Sequence, residues 1–383
     1  MKSIYFDYAA TSPLHPDVLD AMLPYLTGIF GNASSLHAYG REARNALNRS
    51  RDAIAKHLGC QSSEIIFTSG GTESNNLALF GVMQALGREK KHIITSQIEH
   101  HSVLHPCQEL EKLGYEVTYL GVDSTGRVAV EDVANAIRPD TALISVMYGN
   151  NEVGTIQPIE QIGEIARKHQ VLFHVDGVQA LGKIPLHLSM LPVDLMSFSA
   201  HKIYGPKGVG ALYVSKHVPI HAYQHGGKQE RKRRGGTENV AGIVGFAKAV
   251  QDAVEELDAR VADLKQLRQG MINKLKNELG PIGEHWVING HPDHTLPHIL
   301  NISLVGLDTE TLLMNLDLEG IAAASGSACT SGSLEISHVL KAMHLPENVT
   351  LSAVRFSVGI GNSMEEIDTA AQKIATILKR TRM

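Results

Sequence analysis

The sequence predicts an α/β fold, with a large domain on a mostly parallel sheet flanked by helices and a smaller α+β domain beside it. Three observations carry this expectation. At 383 residues the chain exceeds what one compact core usually supports. Short β-rich runs alternate with helical stretches from about residue 60 to 215, and most gaps are long enough for a crossover helix. Beyond them, an apolar stripe recurs every three or four residues from Ile243 to Leu275, the mark of one long helix bridging to a second domain near residue 257. The expected division is 15–256 for the large domain, and 1–14 with 257–383 for the smaller one.

The strands are expected at 64–68, 92–95, 116–120, 141–146, 171–176, 194–198 and 209–214. The last two lie too close together for a crossover helix, so one edge of the sheet should be antiparallel. Ser69-Gly70-Gly71-Thr72 follows the first strand and opens a helical stretch over 73–86. A Gly- and Arg-rich loop covers 226–237. Ser363-Met364-Glu365-Glu366 has the capping-box pattern that starts a terminal amphipathic helix.

Hydrophobic content of 43% with 20% charge is ordinary for a globular enzyme, and a net charge of −5 argues against general affinity for nucleic acid or acidic membranes. The first residues lack the apolar core of a signal peptide, and no apolar run is long enough to span a bilayer. Three scattered cysteines make no disulfide framework, so a reduced, cytoplasmic setting is expected. Cys60 and Cys107 read as buried small hydrophobes. Twenty histidines invite a metal, but no ligand spacing matches one and no metal is expected. The basic stretch 228–234 reads as a solvated charged loop; the alternative is a docking patch for an acidic partner or a tRNA-bound acceptor.

Four places along the α/β domain fit together as a pocket for a phosphate-bearing aldehyde cofactor. Small residues at 69–72 let the backbone approach a phosphate, and a helix N-terminus supplies free N–H donors; alone, a plain strand-to-helix turn would look the same. Asp176 ends a strand, where α/β folds place ligands, and a carboxylate there can keep a pyridine nitrogen protonated. Lys202 follows the next strand in Ser199-Ala200-His201-Lys202, placed to form a Schiff base, with Gly205-Pro206-Lys207-Gly208 fixing the loop behind it. Cys329 lies among small residues, 322–333, that leave little to pack, which suits a thiolate that must attack in one place and deliver in another.

With these residues in view, the chain resembles the cysteine desulfurases of the NifS/IscS-like group, in the class-V aminotransferase family of pyridoxal-phosphate-dependent, aspartate-aminotransferase-like fold. The motifs run nearly end to end, among them Asp7-Tyr8-Ala9-Ala10-Thr11, Ser69-Gly70-Gly71-Thr72-Glu73-Ser74-Asn75-Asn76, Glu99-His100, Asn150-Asn151-Glu152, His174 to Gln179, Ser199 to Lys202, Arg234-Gly235-Gly236-Thr237, Ser325 to Cys329 and Val354-Arg355-Phe356-Ser357. The resemblance implies pyridoxal 5'-phosphate as cofactor. Lys202 would carry it and move protons, with Asp176 on the pyridine nitrogen, Gln179 on the ring hydroxyl and His100 stacked on the ring as acid/base. Gly71, Thr72, Ser199 and His201 would hold the phosphate, and Thr237 would reach the phosphate of the neighbouring subunit in a homodimer. Asn151 and Arg355 would orient L-cysteine, and Cys329 would take its sulfur as a persulfide for an iron–sulfur scaffold or a tRNA-thiolating enzyme. Two positions depart from the pattern: Gly71, often Ala, and Gly149, where Ala or Val is expected. The rival readings are an aminotransferase, a selenocysteine lyase and a non-enzymatic sulfur carrier.

Overall fold

The computed structural model describes residues 3–87, 89–326 and 336–381. Its strands are β1 (Ile4–Tyr5), β2 (Ile65–Thr68), β3 (His92–Ser96), β4 (Glu116–Leu120), β5 (Thr141–Ser145) and β6 (Leu172–Asp176), followed by β7 (Leu195–Ser199), β8 (Gly210–Val214), β9 (Trp286–Asn289), β10 (Ile299–Leu304), β11 (Ile321–Ala322) and β12 (Ala353–Ser357). Seven form the central sheet, ordered β2-β8-β7-β6-β5-β3-β4. β3 to β7 are mutually parallel, and β8 is antiparallel to both of its neighbours. The antiparallel strand therefore lies one place in from the edge rather than at it. The short 200–209 connection forces β8 to turn back beside β7, and β2, from much earlier in the chain, closes that side.

β2, β3, β5, β7 and β8 are buried along their whole length, which is why they read as near-continuous apolar runs rather than alternations. The polar residues among them tie strands together. His174 hydrogen-bonds Ser145 Oγ at 2.8 Å through Nδ1 and Ser197 Oγ at 3.0 Å through Nε2, joining β5, β6 and β7. Full burial pushes its imidazole down to about 3, so it acts as a neutral crosslink. His92 bridges Thr141 and Thr118 in the same way, at 2.8 Å each.

A second, antiparallel sheet has the order β12-β10-β9, and β1 pairs in parallel with β11. One core packs around the central sheet with Phe67, Phe173, Phe198 and Phe246. Another gathers Phe6, Trp286, Ile302, Phe356 and Ile374 around the small sheet. The apolar stripe from Ile243 to Leu275 is two helices, Val240–Glu255 and Leu257–Leu279, broken at Glu256. Ile243, Phe246 and Val250 pack into the first core, while Leu264, Leu267 and Met271 pack into the second, so the stripe continues although the helix does not. The terminal helix, Met364–Thr381, has the expected cap: Glu366 N donates to Ser363 Oγ at 3.2 Å and Ser363 N to Glu366 Oε2 at 3.3 Å.

Two further sequence expectations need correction. Cys107 is fully buried, but Cys60 is only half-buried, because it follows the Gly59 cap where the helix Ala38–Leu58 leaves the core; burial pushes both thiols up to about 12. The basic stretch 228–234 is not simply a solvated loop. It passes through three successive left-handed residues, Glu230, Arg231 and Lys232 (φ 43°, 56° and 68°), a conformation side chains avoid. Buried contacts hold it there. Glu230 grips Arg51 with both oxygens at 2.6 and 2.7 Å and accepts Phe67 N at 3.0 Å. Arg233 donates to Ser63 O at 2.7 Å and Arg234 to Glu73 at 2.7 and 3.1 Å, so only Lys228, Arg231 and Lys232 stay exposed. Among the described residues, no helix is long and apolar enough to cross a membrane.

Candidate active site

A cavity of about 430 Å³ opens at the C-terminal ends of β6 and β7, and its walls bring together Gly71, Thr72, His100, Asn151, Asp176, Gln179, Ser199, His201, Lys202 and Arg355. Of the residues singled out from the sequence, two are not among them. Cys329 lies outside the described residues, although Ala324 and Gly326, just before it in the chain, line the cavity. Thr237 is exposed on the 226–237 strap and does not reach this cavity.

Asp176 is the last residue of β6 and is buried. Asn75 Nδ2 donates to its Oδ2 at 2.8 Å and Val178 N to its Oδ1 at 3.0 Å, fixing both oxygens as acceptors. Asn75 sits one helical turn after Gly71 and also donates to Ser102 Oγ at 2.8 Å. Among the described residues no side chain caps the start of the helix Gly71–Leu86, so its first N–H groups are left for another acceptor. Gly70 precedes it at φ 152°, a conformation that favours glycine.

Lys202 closes the one-turn helix Ala200–Lys202 after β7, and its Nζ donates to Ala9 O at 2.6 Å and Ala10 O at 2.7 Å. Burial, helped by Arg355, brings the amine down to about 8 against the opposing pull of Asp7 and Asp176. His201 is lowered to about 4 by burial, Lys202 and Lys207, and its Nδ1 bonds Thr11 Oγ1 at 3.1 Å.

His100 caps the helix His101–Lys112. Its Nδ1 accepts Ser102 N at 3.1 Å and lies 2.7 Å from Ser102 Oγ, which leaves the ring proton on Nε2. The ring opens to the cavity but is crowded by protein; burial lowers its pKa, Asp176 opposes this, and Lys202, His101 and His338 add to it. Gln179 Nε2 donates to Ala9 O at 2.9 Å.

Arg355, on β12, is buried. It donates through Nη1 to Asn151 O at 2.8 Å and through Nη2 to Asp7 Oδ1 at 2.7 Å, while its buried Nε has no partner among the described residues. Sequence reasoning gave no role to Asp7, Asn75 or Glu99, each inside a motif it quoted. Asn75 had a legible signal, a polar residue on the buried stripe of a helix. Glu99 lies fully buried before His100 and takes Ser96 Oγ at 2.5 Å and Met147 N at 3.0 Å; burial and Asp176 push its carboxyl up to about 8. Glu152, equally hidden, accepts Ser337 Oγ at 2.5 Å, and burial raises it to about 7.

The donor set fits pyridoxal phosphate on this chain's own features. An uncapped helix start beside Ser199 and His201 suits a phosphate, a carboxylate fixed by two donors suits a pyridinium, and an amine lowered toward neutrality suits an aldehyde. These features define a pyridoxal-phosphate enzyme of the α/β class. The Aminotransferase class-V profile matches residues 4–369, and the chain belongs to that family. It is 47% identical over 381 residues to "Cysteine desulfurase IscS" of Dictyoglomus turgidum, covering 100% of this chain and 96% of the relative. It is 48% identical over 381 residues to "Putative cysteine desulfurase IscS 1" of Bacillus subtilis, covering 99% and 100%. Among solved structures it resembles a NifS-like protein with a TM-score of 0.92 and 40% identity, covering 99% of this chain and 100% of the other.

Proposed function

We infer that the protein is a pyridoxal-phosphate-dependent cysteine desulfurase, which converts L-cysteine to alanine and holds the sulfur as a persulfide on Cys329. The observation that carries this reading is the convergence of Asp176, Lys202 and Arg355 on one cavity whose wall includes Ala324 and Gly326, which lead to Cys329 in the chain. The curated relatives that bear the name cysteine desulfurase support it over full length.

When bound, pyridoxal phosphate supplies an electron sink for charge developing at the substrate Cα. The protein supplies position and protons. Gly71, Thr72, Ser199 and His201 hold the phosphate, Gln179 the ring hydroxyl, and Asp176, fixed by Asn75 and Val178, keeps the pyridine nitrogen protonated. Lys202, with its lowered pKa, carries the cofactor and then takes the proton from Cα. His100 presents its Nε2–H beside the ring. Arg355 receives the α-carboxylate, aided by Asn151. The Cys329 thiolate attacks the substrate sulfur; a sulfur–sulfur bond forms, the carbon–sulfur pair returns to the substrate carbon, and that carbon is protonated to give alanine.

The reading extends to a homodimer. Phe30, Leu36 and Tyr39 are exposed, and a second hollow of about 320 Å³, with Thr72, Ser199 and His201 in its walls, offers room for Thr237 of a neighbouring subunit at the phosphate. It also includes a large unit over 15–256 and a small one over 1–14 and 257–383, a cytoplasmic setting, and delivery to an iron–sulfur scaffold or a tRNA-thiolating enzyme. Lys228, Arg231 and Lys232 are the exposed cations of the strap on which an acidic acceptor would dock. Charge reversal there should weaken acceptor binding while alanine formation continues.

Mass spectrometry after brief exposure to L-cysteine, beside Cys329→Ala, tests the reading. One added sulfur atom at Cys329, with alanine formed, is the expected result. A keto acid with no sulfur on the protein would instead make the chain an aminotransferase.

A further inference from the structure

Another cavity, of about 300 Å³, shares two segments with the one that holds Lys202. Lys202 lines one and Tyr204 the other, and likewise Gln179 lines one and Lys183 the other. Lys183 is 7% exposed, a burial that ammonium groups tolerate only with a counter-charge or acceptors. Among the described residues no hydrogen bond or ion pair engages its Nζ; what it meets is the face of the Tyr204 ring, whose centre lies 5.5 Å away. The charge it feels is that of Arg260, a second cation, 5.8 Å over the same ring. Burial and Arg260 together bring the amine down to about 8.

The rest of the cavity defines what could relieve this. Tyr204 Oη accepts Ile360 N at 2.6 Å, and Arg260 meets Glu256 Oε2 through Nε and Nη2 at 2.9 Å each, which leaves its Nη1 without a hydrogen bond among the described residues. What is left is an ammonium met by an aromatic face but paired with no carboxylate among the described residues, beside the apolar side chains of Leu264, Leu267 and Met364. Exposed Asp263 is also in the wall and opposes a doubly charged ligand.

We propose that this cavity binds a small monocarboxylate with an apolar body, its carboxylate on Lys183 and Arg260 and its body against Leu264, Leu267 and Met364. The site is separate from the Arg355 subsite and does not depend on the desulfurase reading.

Reductive methylation of the holoenzyme at pH 8, with Lys202 occupied by its cofactor, locates binding at Lys183 by peptide mass spectrometry. Hexanoate is the probe and inorganic phosphate the control. Hexanoate should slow Lys183 methylation about tenfold and phosphate much less, and Arg260→Gln should weaken the protection about tenfold, the value of one charge-assisted contact. Lys183 methylation unchanged by hexanoate up to about 50 mM, a concentration that would reveal even weak binding, would overturn the proposal. So would equal protection in Arg260→Gln, or stronger protection by phosphate than by hexanoate.

Discussion

Arg355 Nη2 and Asp7 Oδ1 meet at 2.7 Å, joining residues that lie 348 positions apart in the chain. With Asn151 O on Nη1, both ends of the guanidinium fork are already engaged, so the α-carboxylate that we propose Arg355 receives would compete with Asp7 for the same planar donor. Arg355→Lys should raise the KM for L-cysteine about tenfold or more with a smaller change in kcat, since an ammonium cannot replace a two-pronged contact. Asp7→Asn keeps a hydrogen-bond acceptor without the rival charge and should lower KM about threefold. Steady-state kinetics at fixed pH decide both; an Asp7→Asn enzyme with a raised KM would show that Asp7 positions the arginine more than it competes.

Lys202 titrates at about 8 against an ordinary 10.5, and Lys183 does the same. The unfolded chain therefore holds protons that the folded one gives up between those values. The penalty of burying these charges is complete below about pH 8 and is relieved as pH rises toward 10.5. Urea unfolding of the cofactor-free protein should show stability from these two groups rising across that window. Cofactor uptake followed by absorbance should reach half its maximal rate near pH 8; uptake that keeps climbing to pH 10 would mean the amine is not lowered.

Glu99 runs the other way. Its carboxyl is raised from 4.5 to about 8, so the folded protein keeps a proton that the unfolded chain loses. This stabilisation is complete below about pH 4.5 and is lost as pH rises to about 8. Glu99→Gln retains an acceptor for Ser96 and Met147, so it should cost under about 1 kcal/mol near neutrality, where Glu99→Ala leaves those donors unmet and costs about 2–4 kcal/mol. The Gln variant should also lose this part of the pH dependence, and a slope unchanged between pH 5.5 and 8 in urea melts would count against a protonated Glu99.

The two departures from the family pattern are matched by their neighbours. A Cβ on Gly71 would lie 2.7 Å from Val178 Cγ2, and one on Gly149 2.8 Å from Leu296 Cδ1. Gly71→Ala should weaken cofactor binding about tenfold, because overpacking at the helix start that we propose cradles the phosphate costs about 1–3 kcal/mol. Gly71→Ala with Val178→Ala should recover most of that loss. Equilibrium titration of the cofactor measures both, and equal weakening in the double variant would mean that Val178 is not the obstacle.

Much of this was readable from short stretches of chain. Strands buried on both faces show as apolar runs, and Asp176 and Lys202 stand where such runs end. The resemblance supplied Arg355 and Gln179, whose local sequence has no distinguishing feature. What stayed hidden depends on contacts far apart in the chain. The break at Glu256 follows from two cores pulling one stripe in different directions. Arg51 and Glu230 form a buried pair that makes three left-handed residues tolerable, and neither residue announces the other. Asn75 was visible as a polar residue in a buried position, but not that it supports Asp176.

The pairing of β1 with β11 sets an order of events during synthesis. The strands of the central sheet have all left the ribosome once residue 214 has emerged. The first few residues must then wait with an unpaired strand until residue 322 follows, and Asp7 waits longer still for Arg355. Because Lys202 Nζ donates to Ala9 O and Ala10 O, and Ala9 N to Ser357 Oγ, that amine is settled in place only when the beginning of the chain meets its end. A truncated nascent product can thus complete its main sheet and still have no working site.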